Sequence, residues 1–399
     1  MAVNTMTFNQ LSTVLNSIVS QATGKTVITP TDTASFVSVA KMGLEVGYDP
    51  LMNAISQVLS KTIFSVRPYS AKFKGLRADS IRYGNHVRKI QLLDKDWEDD
   101  SRNTLVDGQS IDQYSVNKPQ AIQTNFYGQN VFQKSITIFK DQLDVAFSSP
   151  DEFGRFVSMV MQNAADMIEQ AHESVARMAL CNFIAGKTKC DDRNVVYLLD
   201  VYEGETGLTG LTADTIKQPE NFVPFSKWLY GYLRTRSDLL TERSELYHMN
   251  FTIGGSVKGI KRHTPIDRQK LYLYSKELNN IDASVLSGTF NDKYLKIMDN
   301  ERVNYWQSID TPQGIQVTPG YNNPDGTIAE SSAVTLSNVF GVLFDEEAIG
   351  YTTINTWSAP TPFNAKGGYT NLFYHFTDRY WNDFTENAVV FILDHKAGV

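Results

Sequence analysis

The sequence predicts an α+β protein organised around one very long helix. Three observations predict this class. Ser149 to Gly186 carries helix signals at both ends and an apolar stripe between them. Residues 1 to about 60 show the spacing of short amphipathic helices. Strand-like stretches recur from residue 63 onward, and the chain closes on the apolar run Ala388 to Leu393.

Size and charge narrow the function. At 399 residues the chain suffices for one large or two moderate domains. Charged residues make up 20% and hydrophobic residues 42%, as in soluble globular proteins. The 19 Tyr and 22 Phe favour strands and large contact surfaces. No apolar run reaches the roughly 18 residues of a membrane span. Met1 to Ile18 lacks the basic start and apolar centre of a signal peptide. Two cysteines, Cys181 and Cys190, do not make a disulfide framework and suit a reducing cytoplasm. A net charge of −7 argues against broad nucleic-acid binding.

The first helix is marked by the stripe Phe8, Leu11, Val14, Leu15, Ile18 and Val19. Thr31 to Leu44 reads as a second, capped by Asp32 or Thr33. Asp49-Pro50 opens a third, with Leu51, Ile55, Val58 and Leu59 on one face. Strand patterns follow at Ile63–Pro68, Val87–Leu93, Ala121–Phe126 and Val131–Phe139. The stretch from Leu93 to Pro119 is polar, with Asp107-Gly108 as a turn signal. Together these residues predict a long two-stranded excursion. A lone hairpin is marginal in water, so the excursion implies a partner surface.

Charge along the excursion is segregated. Lys72, Lys74, Arg77, Arg82, Arg88 and Lys89 precede Asp94, Asp96, Glu98, Asp99 and Asp100. Such blocks read as a solvated surface or as complementary contacts that set register between copies.

The long helix comes next. Ser149 suits the N-cap, Pro150 the first helical position, and Glu152 completes an S-x-x-E capping box. Gly186 followed by Lys187 reads as the stop. About 35 residues at about 1.5 Å each give a rod of roughly 50 Å. Its apolar stripe runs through Phe153, Phe156, Val157, Val160, Met161, Ala164, Ala165, Ile168, Ala171, Val175, Met178 and Ala179. Gly154 is a soft point in it. Beyond it, strands are expected at Val195–Val201, His248–Ile253, Tyr294–Met298, Val303–Ile309, Val339–Phe344 and Phe373–Tyr380. Helices are expected at Phe225–Leu240 and Ile266–Leu278, and a polar loop at 310–333. The last strand, Ala388–Leu393, is apolar throughout, which implies cover on both faces.

Catalytic signatures are missing. The six histidines are scattered, and none forms H-E-x-x-H. His172 reads as a packed or capping group. There is no G-x-S-x-G, Walker A or G-x-G-x-x-G pattern. Gly254-Gly255-Ser256-Val257-Lys258-Gly259 fails the phosphate-loop template because Lys precedes the last Gly. With Lys261, Arg262, His263 and Arg268 it reads as a basic loop for subunit contacts. Glu98-Asp99-Asp100 reads as a solvated loop before a cation site. No catalytic residue, cofactor or metal is expected.

Several stretches, in this order, resemble the HK97-type fold of tailed-phage major capsid proteins, most closely those of short-tailed phi29-like phages. They are Gln123 to Phe147 leading into S-S-P-D-E-F-G-R-F, then Arg262-His263-Thr264-Pro265, then Val303-Asn304-Tyr305-Trp306-Gln307. Phe373-Tyr374-His375-Phe376 and Phe384 through Phe391 complete the set. The resemblance implies an N-terminal arm and P-domain start over 1–64, and an E-loop over 65–135. It implies a P-domain over 136–221 with its spine helix at 149–186, an A-domain over 222–345, and a P-domain return with the C-terminal strand over 346–399. An Ig-like C-terminal domain, carried by some relatives, is not expected.

The same resemblance implies a shell protein that self-assembles around a double-stranded DNA genome, as an icosahedral or prolate head. The implied partners are identical copies in pentamers and hexamers, with portal, scaffold and head proteins of the same phage. Contact with packaged DNA would be weak and non-specific, and no membrane is involved. The protein would reside in the virion after synthesis in the bacterial cytoplasm. The basic residues Lys258, Lys261, Arg262 and Arg268 would make A-domain contacts, and the charge blocks E-loop contacts. An encapsulin-like compartment and a carbohydrate-active enzyme using residues 369–381 are the alternative readings.

Overall fold

The computed structural model describes residues 7–27, 29–61, 72–78, 87–93, 100–111, 114, 116, 118, 120–253, 256–286, 300–321, 323–325, 327 and 332–396. Helices α1 (Phe8–Thr23), α2 (Thr33–Glu45) and α3 (Tyr48–Lys61) open the chain. Strands β1 (Val87–Leu93), β2 (Gln120–Phe126) and β3 (Gln129–Phe139) follow, then α4 (Lys140–Ala146) and α5 (Pro150–Cys190). Next come β4 (Val195–Tyr197), α6 (Leu198–Thr206), α7 (Pro219–Thr241), β5 (Phe251–Ile253), β6 (Ser256–Lys258), β7 (Gln269–Tyr274) and α8 (Ser275–Leu286). The chain ends with β8 (Asn300–Val303), β9 (Ile315–Val317), β10 (Val334–Leu336), β11 (Val339–Asp345), β12 (Ile349–Pro360), β13 (Tyr369–Asn382) and β14 (Ala388–Ile392).

The chain forms two compact units. One takes residues 1–83, 129–175 and 351–379, the other 84–128, 176–350 and 380–399. Helix α5 passes from the first to the second.

In the first unit, α1, α2 and α3 pack with α4 and the start of α5 around one core. Leu15, Phe36, Leu51, Leu143, Phe153 and Val157 are among its fully buried members. The opening helices therefore form a packed cluster. Their amphipathic stripes need cover, and each helix supplies it to the others. The Asp32 carboxylate accepts from Ser35 N–H at 2.7 Å, as its N-cap position demands. Gly154 meets the Leu11 side chain, with a Cβ there placed 3.1 Å from Leu11 Cδ1. Its role in this structure is close packing. Strand β3 lies antiparallel to β13 from Tyr369↔Phe139 to Arg379↔Gln129, in a sheet of order β12-β13-β3. It belongs to this sheet and not to the preceding hairpin.

The second unit holds a five-stranded sheet of order β4-β14-β11-β7-β8. Every residue of β11 and β14 is buried. This continuous burial fits central strands covered on both faces. Helices α6, α7 and α8 pack with β7, β11 and β14 around a core that includes Leu199, Phe225, Leu273 and Phe391. Gly341 allows β11 to approach β7: a Cβ there would sit 2.5 Å from Leu273 Cδ2.

Several expectations need correction. Helix α5 is 41 residues long and continues past Gly186 to Cys190. Ser149 Oγ accepts from Glu152 N–H at 3.3 Å, but the Glu152 carboxylate turns to Arg155 at 3.4 Å. Met178, expected on the stripe, is 40% exposed. Ile266–Leu278 is not one helix. It holds a single 3-10 turn, then β7, then α8. Tertiary pairing of Gln-Lys-Leu-Tyr-Leu-Tyr with β11 and β8 outweighs local helical spacing there. Val195–Val201 becomes β4 and the start of α6. His248–Ile253 shortens to β5, and of Val303–Ile309 only Val303 is strand, the end of β8, with irregular bends after it. The loop at 310–333 includes β9, which pairs with β10. Strand β12 was not anticipated at all. Ile63–Pro68 and Tyr294–Met298 lie outside the described residues.

Candidate functional site: a hairpin on a charged socket

Strands β1 and β2 pair antiparallel from Val87↔Phe126 to Leu93↔Gln120. Side chains alternate across such a ribbon. Lys89 and Gln91 fall on one face, Arg88, Ile90 and Leu92 on the other. Gln91 is 9% exposed, whereas Ile90 and Leu92 are 61% and 69% exposed. The hairpin thus has a docked inner face and a bare apolar outer face. Beyond the strands, Leu105, Val106, Ile111 and Val116 are exposed too. Gly108 at the expected Asp107-Gly108 turn has φ +84°.

The inner face meets the turn between β13 and β14. Lys89 Nζ lies 3.0 Å from Asp383 Oδ2 and 3.3 Å from Glu347 Oε2, and it also pairs with Glu386. Gln91 Nε2 donates to Thr385 Oγ1 at 3.2 Å. Arg262 closes the far side, 2.7 Å from Glu386 Oε1 and donating to Thr385 Oγ1 at 3.2 Å. Thr385 Oγ1 in turn donates to Asp383 Oδ1 at 2.6 Å.

Beneath this turn sits the C-terminal part of α5. Lys187 is fully buried, and its ammonium donates to the carbonyl oxygens of Glu386 at 2.7 Å, Phe384 at 3.0 Å and Tyr247 at 3.3 Å. Three N–H groups meet three acceptors, which is what a buried ammonium requires. The Phe384 ring stacks on Phe183 with centroids 5.5 Å apart. The socket therefore combines three cations, Lys89, Arg262 and Lys187, with three carboxylates, Glu347, Asp383 and Glu386.

Protonation follows from this packing. Burial pulls the Lys89 pKa down, but Asp383 and Glu386 outweigh it and push it up to about 12. Burial acts to raise Asp383, yet Lys89 and the Thr385 hydrogen bonds hold it below the usual carboxylate range. Burial lifts Glu386 above its ordinary value, against the pull of Arg262 and Lys89. For Lys187 burial dominates the opposing pull of Cys190, Asp383 and Glu386, and brings it down to about 8.

A cleft of about 720 Å³ lies beside the socket, between β2, Asn182 of α5, residues 320, 321 and 323–325, and residues 380–385. Gly128 follows β2 at the hairpin's exit, and a Cβ there would lie 2.6 Å from the Tyr380 carbonyl oxygen.

The residues expected at subunit interfaces separate into groups. Lys89 and Arg262 are engaged within their own chain. Arg268 is half-exposed beside Glu346 at 3.5 Å and Glu347 at 3.2 Å. Lys72, Lys74 and Arg77 lie in the first compact unit, apart from the hairpin. Lys72 N–H donates to Glu173 at 3.3 Å, and Arg77 bridges Tyr351. Arg88 and Lys261 are exposed. Asp100 is exposed and takes the Arg102 Nε–H at 2.8 Å. Arg82, Asp94, Asp96, Glu98, Asp99 and the Lys258 side chain lie outside the described residues. The socket carboxylates were missed because nothing near them in sequence marks them. His172 is a packed group, as expected, with Thr353 Oγ1 at 3.2 Å and Asp378 at 3.4 Å. Among the described residues no cluster of His, Cys, Asp or Glu is placed to hold a metal ion. No helix there is long and apolar enough to cross a membrane.

The architecture is that of a phage capsid chain of the HK97-like type. It is similar to a chain in the capsid structure of Staphylococcus phage Andhra, with a TM-score of 0.54 and 11% identity over 83% of this chain and 86% of that one. It is also similar to a chain from a structure of the head fiber and inner core protein gp22 of native bacteriophage P68. That match has a TM-score of 0.53 and 9% identity, and covers 84% of this chain and 87% of that one. No curated protein sequence matches. The family profile described as Phi29-like phage major capsid protein matches residues 15–392, and the chain belongs to that family. It is a major capsid protein.

Proposed function

We propose that this subunit builds a closed icosahedral or prolate head around double-stranded phage DNA, and that the β1–β2 hairpin joins each copy to the next. The observation that carries the reading is the bare outer face of the hairpin at Ile90 and Leu92, set opposite a face already docked on its own chain. A two-stranded ribbon gains little stability alone, and covering its apolar face is the available gain. Contacts between unlike patches that curve and close give a shell instead of a filament. Each contact is modest, and many act together.

In this reading the hairpin within 65–135 is the E-loop, and it lies over the spine helix and P-domain of a neighbouring copy. The long helix α5 is the spine of the P-domain, residues 222–345 form the A-domain near the capsomer centre, and 346–399 return to the P-domain. Residues 1–64 are the N-terminal arm and the start of the P-domain. Lys258 and Lys261 contact other copies there. Copies group as pentamers and hexamers, with portal, scaffold and further head proteins as partners and only weak, non-specific contact with DNA. The role is structural, without catalysis, in a virion assembled from protein made in the bacterial cytoplasm. Family membership favours this role over an encapsulin-like compartment or an enzyme.

Because Leu93 pairs with Gln120, a two-residue turn fits in place of residues 94–119. That replacement is expected to leave folded, soluble subunits that form no particles in electron micrographs. Normal shells from it, with Ile90→Ser and Leu92→Ser added, would refute the role given to the hairpin.

A further inference from the structure

We propose that Lys89 is a positioning residue: seated in the turn Asp383–Glu386, it fixes the pose of the β1–β2 hairpin on its own subunit before a neighbouring copy binds. The proposal rests on the reading that the hairpin's outer face contacts that neighbour. It adds an intramolecular lock to a segment otherwise expected to need a partner.

Among the described residues, the Lys89 ammonium and the Gln91 amide tether the hairpin's inner face. Beside them an open cleft of about 720 Å³ runs under β2. A swing of the ribbon has to break both tethers. Lys89 suits this task. Its side chain is 21% exposed, among carboxylates that are 2% and 6% exposed at Asp383 and Glu386. Pulling the ammonium away strands those charges in a poorly hydrated place, which is unfavourable. The ribbon is thus held at one register and one angle.

The socket is itself rigid. Lys187 grips the turn from α5 through the Phe384 and Glu386 carbonyl oxygens. Phe384 is clamped on Phe183, and Asp383 N–H donates to the Ala348 carbonyl oxygen at 2.7 Å. Arg262 and Thr385 hold the two carboxylates in place. The lock thus connects the long helix to the hairpin through one turn. A pre-positioned arm loses less freedom when a neighbour arrives, so association is faster than with a free arm.

The test uses full-length subunits kept below their assembly concentration. Hydrogen exchange is read at residues 87–93 and 120–126, and particle formation is followed by light scattering after concentration. Lys89→Met is expected to speed hairpin exchange about tenfold or more while β11 and β14 stay protected. Assembly is expected to slow by about tenfold for the same variant. Lys89→Arg, which keeps the charge, is expected to restore most of both. Should the uncompensated carboxylates unfold Lys89→Met, the double variant Lys89→Met with Glu386→Gln keeps the charges balanced and gives the same readout.

Hairpin exchange at the wild-type rate in both Met variants overturns the lock. A loosened hairpin that assembles at the wild-type rate overturns its link to assembly. These failures are distinct from failure of the hairpin's role itself, which appears as normal shells when residues 94–119 are replaced by a turn and Ile90 and Leu92 by Ser.

Discussion

The Phe384 ring occupies the place where a side chain on Gly186 would stand: a Cβ added there lies 2.5 Å from Phe384 Cε1 and 2.6 Å from Cζ. Phe384 is stacked on Phe183 and cannot retreat without losing that contact. Gly186→Ala therefore forces overpacking of about 1–3 kcal/mol against a helix-propensity gain of at most about 1 kcal/mol. A net loss of about 1–2 kcal/mol is expected in chemical denaturation. An unchanged or raised midpoint would contradict this packing.

Lys187 gives a dependence on alkaline pH. Its pKa is about 8 in the folded chain and near the ordinary 10.5 when unfolded. Between these values the unfolded chain binds the extra proton, so this group makes stability rise with pH. The slope attributable to it approaches about 1.4 kcal/mol per pH unit. Other groups titrate in the same window, so the measurement is the difference between wild type and Lys187→Met. Wild type is expected to gain on the variant from about pH 8 to pH 10, and parallel curves would count against a buried ammonium.

Near the end of the chain, His395 faces oxygen acceptors with both ring nitrogens. Nδ1 is 2.5 Å from Asp200 Oδ1, and Nε2 is 2.7 Å from the Leu211 carbonyl oxygen. Both nitrogens face oxygen acceptors, an arrangement that the protonated ring satisfies with two donors. Its pKa is raised, first by the Asp200 hydrogen bond and then by the Leu211 carbonyl. The contribution is complete below the unfolded value and is lost as pH rises through the folded one. A titration of His395 followed by NMR is expected above the ordinary histidine value, falling back in Asp200→Asn. Equal midpoints in the two proteins would refute the pairing.

Much of the architecture was legible in the sequence, for local reasons. Val87–Leu93 alternates and is β1 to the residue. Ala388–Leu393 is apolar at every position and is buried. The long helix was legible, but its end was not. Gly186 reads as a stop, whereas the glycine is there to admit Phe384, far along the chain. Lys89 read as a surface charge for the same reason, since Glu386 lies 297 residues away. Strand β12 mixes Thr, Asn, Trp and Ser with partial burial, so alternation is too weak to mark it. For Gly186 and Lys89 a contact distant in sequence decided the role.

The hairpin's outer face separates folding from assembly. Ile90 and Leu92 are mostly exposed, so replacing both with Ser is expected to shift subunit stability by no more than about 0.5 kcal/mol. Particle yield is expected to fall sharply. A variant that melts like wild type and still forms normal shells would show that this face contacts nothing.

The central claim is that the hairpin of one copy rests on another copy. Lys118, exposed in the segment joining the two strands, supplies an amine for testing it. Particles are assembled from equal parts of light- and heavy-isotope subunits, treated with an amine cross-linker, and analysed by mass spectrometry. The account predicts that Lys118 cross-links occur in mixed-isotope pairs at the statistical frequency; Lys118 links found only within single-isotope pairs would contradict it.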